Sequence, residues 1–190
     1  TLGLLRVAVG PSALWIGVAG RGGHTPSRDE WPAFVALGGC VTLTVATQFV
    51  GTELTNASQG SLLTVLTPVF TVLLGAAVLG ERVTAAKAGG MTLAGVGTAV
   101  VLAGQYDLAS MAAGNAVGVA LLLIGSAAWA GYTVWGVRAV RRHGALRAAT
   151  YSSLASVPML GALAVGELWY LGRSPADLPL TAESAGAVLY

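Results

Sequence analysis

The chain has 190 residues, of which 55% are hydrophobic and only 9% charged, with ten Lys or Arg against eight Asp or Glu and a mean hydropathy of +0.74. Soluble domains carry about 25% charged residues, so this chain cannot cover a water-facing globule, and its apolar surface must meet lipid. The net charge of +2 sits in short clusters with no basic stripe for nucleic acid, and the single Cys40 excludes an intrachain disulfide or a cysteine metal cage.

Six apolar segments follow one another, at about 2–20, 31–50, 59–80, 86–104, 115–139 and 146–170, and a seventh begins near Ala185. Each is long enough, at about 1.5 Å per helical residue, to cross a hydrocarbon core of about 30 Å. The runs lack the strict alternation of a barrel strand, so helices are the expected spanning element. The 27 glycines and the abundant alanines let helix backbones approach closely in lipid. The expected fold is all-α, a polytopic transmembrane helix bundle.

The first segment carries Pro11 in mid-span and leads to the loop RGGHTPSRDE, with Arg21, His24 and Arg28. The second places Thr44, Thr47 and Gln48 on one side. The third reads polar on a third of its circumference, through Ser61, Thr64, Thr67, Pro68 and Thr71. It stops at Gly80, Glu81 and Arg82, where glycine relaxes the last turn and the arginine suits the negative helix end. Glu81 reads as a loop anchor that pairs locally. The fourth segment is apolar and glycine-rich. The fifth sets Ser126, Trp129 and Thr133 on one side, with Tyr132 at its edge, and runs into VRAVRRHGALR. The sixth is interrupted by Pro158 and ends near Glu167, Trp169 and Tyr170.

Each of the prolines Pro11, Pro68 and Pro158 lacks an N–H and frees a carbonyl four residues earlier, on Val7, Thr64 and Leu154. Such carbonyls should face protein or a wet cavity. The buried hydroxyls have an ordinary reading as back-bonds to their own helix or as glue between helices. The sharper reading is that the three polar faces converge on a cavity, with Thr44, Gln48, Ser61, Thr64, Pro68, Thr71, Ser126, Trp129, Tyr132 and Thr133 as its lining. Glu167 is the candidate coupling carboxylate, although a position near the span's end also suits snorkelling. Trp31, Tyr106, Trp169 and Tyr170 read as interfacial belt anchors.

Eight of the ten basic residues fall in the first, third and fifth loops, and one, Arg173, falls in the sixth. The positive-inside rule makes loops 21–30, 81–87 and 138–147 cytoplasmic. Residue 1 is then outside, so an earlier helix is expected in the intact protein. The chain lacks an initiator Met, a secretory signal, a phosphate-binding loop and a metalloprotease motif. No cofactor, metal or catalytic residue is expected, and the chain is not read as an enzyme. A lipid-modifying membrane enzyme and a structural or assembly protein are the alternatives to a carrier.

The stretch from Asn56 to Gly104 resembles the EamA family of the drug/metabolite transporter superfamily. The resemblance rests on Ala57-Ser58, Pro68-Val69-Phe70, Leu79-Gly80-Glu81-Arg82, and Gly90 with Gly95, supported by Trp129-Ala130 and Tyr132 later in the chain. It implies ten helices in two inverted five-helix repeats, of which this chain is a fragment covering helices two to seven and the start of eight. Residues 1–104 are then a first repeat without its first helix, 105–114 an extracytoplasmic linker, and 115–190 a truncated second repeat. Pro11 and Pro158, five spans apart, occupy matching places in oppositely directed helices, as inverted repeats require. The family pattern implies a cavity between repeats, with segment 86–104 peripheral to it. It also implies a secondary transporter in the bacterial cytoplasmic (inner) membrane, exporting a small-molecule substrate by alternating access. The expected partners are the lipid bilayer and, as an assembly, a homodimer. Mid-membrane Lys and Arg are lacking, which favours a neutral or zwitterionic substrate over a phosphorylated one.

Overall fold

In the computed structural model, residues 15, 18, 26–105 and 116–172 are described. Among them every regular element is helical. After a 3-10 turn, Arg28–Glu30, come α1 (Trp31–Leu54), α2 (Ala57–Thr64), α3 (Thr67–Leu79), α4 (Ala85–Gln105), α5 (Ala116–His143) and α6 (Ala145–Tyr170). Among the described residues four stretches are long and apolar enough to cross a membrane: Arg28–Leu54, Ala57–Leu79, Ala116–His143 and Ala145–Tyr170. The 21-residue α4 is apolar too, and exposes Leu93, Val96 and Val100. Exposed Leu, Val and Phe side chains recur along the spans, as lipid-facing surfaces require. The fold is an all-α polytopic bundle of an integral membrane protein. Pro11, Arg6, His24, Tyr106, the segment 2–14 of the first span and the start of a seventh span lie outside the described residues.

The chain forms two compact units, Leu43–Trp135 and the flanking Thr1–Thr42 with Gly136–Tyr190. In the flanking unit the first half of α1 packs on α6 at Gly38. A Cβ there would lie 2.9 Å from the Ala155 Cβ, the Ser152 carbonyl oxygen and the Ser156 nitrogen, so only glycine lets these backbones come so close. Thr42 Oγ1 donates to Met159 Sδ at 3.7 Å beside it. Ser152 and Ser156 satisfy their own hydroxyls on the carbonyls of Ala148 and Ser153, both at 2.7 Å. Gly144, with φ of 80°, turns the chain from α5 into α6. An aromatic cluster of Trp31, Phe34 and Tyr151 closes this unit near the start of α1, with ring centroids 5.5 to 6.4 Å apart. Pro158 lies inside an uninterrupted α6, unlike Pro68 in the other unit.

The span expected at 59–80 is two helices. Val65 and Leu66 donate to the carbonyls of Leu62 and Leu63 at 3.2 and 3.1 Å, in the tighter 3-10 manner, and α3 starts afresh at Thr67. Pro68 therefore sits in the first turn of α3, where a missing N–H costs nothing. It is a helix starter here, and the expected interior kink is corrected to a break. Asn56 begins α2, its Oδ1 accepting from the Gln59 N–H at 2.8 Å.

A candidate substrate-facing site on two polar helix faces

The unit Leu43–Trp135 holds every predicted lining residue. Its centre is the contact between the second half of α1 and the first half of α5. A Cβ on Gly125 would fall 2.6 Å from Thr47 Oγ1, and one on Gly118 would fall 2.7 Å from Thr55 Cγ2. A Cβ on Gly51 would fall 2.8 Å from Leu122 Cγ. Small residues thus alternate across the contact and bring the two backbones together. Thr44 Oγ1 uses that proximity and donates to the Gly125 carbonyl at 3.2 Å. Gln48 is half-buried beside it, its Cγ 3.3 Å from the place of a Gly125 Cβ.

Most other hydroxyls bond within their own helix. Thr47 Oγ1 donates to the Leu43 carbonyl at 2.7 Å, Ser61 Oγ to Ser58 at 2.8 Å and Thr64 Oγ1 to Ser61 at 2.8 Å. Thr71 Oγ1 donates to Thr67 at 2.9 Å and Thr133 Oγ1 to Trp129 at 3.0 Å. Each hydroxyl oxygen keeps lone pairs that can accept from a passing donor. Ser61, Pro68, Trp129 and Thr133 are exposed, whereas Thr64, Thr71 and Tyr132 are half-buried. Trp129 stacks on Tyr132 with centroids 5.2 Å apart and an interplanar angle of 27°. The geometry therefore brings Thr44 and Gln48 to the α1–α5 contact, buries Ser126 next in sequence to Gly125, and presents the other residues along their own helices.

Two buried polar atoms have no hydrogen-bond partner among the described residues, Ser126 Oγ and Gln59 Oε1. Ser126 is 0% exposed and Gln59 2%. An unpaired buried polar atom costs about 1–3 kcal/mol, so these two atoms stand out, one on α5 and one on α2. Ser126 is among the predicted lining residues, but Gln59 is not. Its signal was an amide at the start of an apolar span, the same argument that singles out Gln48.

The helix-end motif is built from local contacts. Gly80 adopts φ of 67° and ψ of 22°, and the N–H groups of Gly80 and Glu81 turn back to the Gly75 carbonyl. The Glu81 carboxylate covers buried Gly75 at 3.7 Å from where a Cβ would be, and it pairs with Lys87 Nζ at 3.1 Å. That pair joins the end of α3 to the first turn of α4. Arg82 is exposed. Glu167 is exposed near the end of α6, in the flanking unit. Among the described residues no group of three His, Cys, Asp or Glu lies together.

A family model described as the EamA-like transporter family matches residues 1–103. The chain belongs to the EamA-like transporter family. The EamA match covers the polar faces of α1 to α3 and the Gly80-Glu81-Arg82 stop, and it gives the chain a membrane-transport type of function. No curated protein and no solved structure matches the chain.

Proposed function

We propose that this EamA chain is part of a secondary-active transporter that exports small neutral or zwitterionic metabolites or drugs by alternating access. The observation that carries the reading is the family match over residues 1–103. Polar side chains on α1, α2, α3 and α5, within otherwise apolar spans, supply weak hydrogen-bonding positions for a substrate without a large net charge. The described spans place no Lys or Arg in mid-membrane, as a substrate without phosphate would require. Glu167 is the proposed coupling carboxylate. Residues 1–104 act as a first repeat, 105–114 as the extracytoplasmic linker and 115–190 as a second repeat. The basic loops 21–30, 81–87 and 138–147 face the cytoplasm of a bacterial inner membrane. A homodimer is the proposed assembly. The reading assigns no catalytic step to any residue.

The test is uptake into everted membrane vesicles that contain the intact gene product. A panel of amino acids, organic cations and drug-like compounds is presented with and without a proton gradient. Gradient-dependent accumulation of at least one neutral or zwitterionic compound is the expected result. Vesicles that accumulate none of the panel above the empty-membrane background would favour a structural or assembly role.

A further inference from the structure

Glu30 sits at the end of the 3-10 turn that feeds α1 and joins two other elements. Its Oε1 lies 3.2 Å from Arg142 Nη1 and 3.2 Å from His143 Nε2, both in the last turn of α5. Its Oε2 accepts the Ser27 N–H at 3.0 Å. The His143 ring packs on Phe34, itself 1% exposed, with centroids 5.5 Å apart. The His143 and Glu30 side chains are only 14% and 21% exposed, whereas Arg142 is 70% exposed. A histidine and a carboxylate are therefore held together in a largely covered place, beside a residue that opens to solvent. Gly144, with its left-handed φ, follows at once and starts α6.

We propose that Glu30, Arg142 and His143 form a proton-sensitive clasp between the start of α1 and the end of α5. Histidine is the side chain whose charge ordinarily changes between about pH 5 and 8. Protonated, His143 adds a second positive charge against the Glu30 carboxylate, and the clasp tightens. Neutral, it contributes one ordinary hydrogen bond, and Arg142 alone supplies charge. The other charged and titratable groups of the surrounding elements are Arg28 and Asp29 in the turn, Arg138 and Arg141 on α5, and Arg147 and Tyr151 on α6. The nearby arginines oppose a charge on His143, and Glu30, 3.2 Å from His143 Nε2, is the acid placed to favour it.

The clasp also has an acid limit. The Glu30 carboxylate accepts the Ser27 N–H and faces both Arg142 and His143, so protonating it removes the acceptor that all three share. The clasp is tight only while Glu30 is ionised and His143 is charged, and it weakens when either loses its charge. On the charge-rule orientation it lies at the cytoplasmic ends of its helices. If the chain is a carrier, as proposed above, these ends belong to the inward gate, and the clasp makes that gate respond to cytoplasmic pH.

A distance measurement tests the clasp without any substrate, so its failure and the failure of the transport reading are separable. Spin labels go on Ala33→Cys and Ala145→Cys, both exposed and uncharged positions, in the intact protein in liposomes, with Cys40 and other native cysteines replaced by Ser. Pulsed dipolar spectra at pH 6 should show a narrow short-distance population, and at pH 8 its ratio to the long-distance population should fall by up to about fivefold, the range of a partly exposed ion pair. His143→Gln should abolish the difference between the two pH values. His143→Lys, with a fixed positive charge, should hold the short population at both. Identical spectra at pH 6 and 8 would overturn the clasp. So would His143→Gln or His143→Lys protein that elutes as the wild type does and still follows pH as the wild type does.

Discussion

At Gly80 one φ angle decides what the sequence can tolerate. A side chain in the left-handed region costs about 1–2 kcal/mol, so Gly80→Ala should destabilise the protein by about that much. A thermal-unfolding assay in detergent would register it as a lower midpoint. Gly125 makes a different demand, since a Cβ there would enter the space of Thr47 Oγ1 at 2.6 Å. Forcing extra volume into a packed contact costs about 1–3 kcal/mol, so Gly125→Ala should be destabilising as well. Gly97 is the matched control, because nothing lies within 4 Å of a Cβ placed there. Gly97→Ala should be neutral or stabilising, by up to about 1 kcal/mol from helix propensity. The same assay on the three variants separates backbone strain, contact and propensity. The sequence marks Gly80 as a helix stop beside Glu81 and Arg82, but it does not separate Gly125 from Gly97, because that difference lies in residues far along the chain. The local role of Glu81 was legible, since its partner Lys87 is only six residues away. The pairing of Glu30 with Arg142 and His143 spans more than a hundred residues and leaves no local pattern.

Among the elements, the stretch 59–80 shows what hydropathy misses. Its apolar length announces a span, and its proline announces an irregularity, but neither reveals whether the helix bends or restarts. The answer lies in two 3-10 bonds at Val65 and Leu66, which end α2 and leave Pro68 in the first turn of α3. Pro68→Ala should accordingly change stability far less than the ~3 kcal/mol expected on removing an interior mismatch of that kind. Amide hydrogen exchange over residues 64–68 would show whether the restored N–H joins α2 and α3 into one ladder. In α6 the helix runs uninterrupted through Pro158, so the same residue type has two outcomes in one chain. The ordinary reading of the hydroxyls also finds its place at this scale. Ser61, Thr64, Thr71 and Thr133 lie three or four residues from their acceptors, so their back-bonds follow from helical geometry alone. The Thr44 bond to Gly125 needed the α1–α5 contact, whose small residues were visible only as composition.

For the whole molecule, composition was enough to require lipid, and the charged loops were enough to propose an orientation. The family followed from short motifs around Pro68 and Gly80, and the match over residues 1–103 agrees with them. The substrate path is a proposal that rests on side-chain chemistry along α1 to α3 and α5. Single cysteines at Ser61, Thr64, Thr71 and Thr133 test it most directly, each challenged with a small aqueous thiol reagent in the intact protein in membranes. Leu93, Val96 and Val100 on α4 serve as lipid-facing controls. The account predicts reaction at the polar-face positions at least about tenfold faster than at the controls, as expected where water reaches non-lipid faces. Uniform protection of the polar-face cysteines, at the level of the α4 controls, would contradict it.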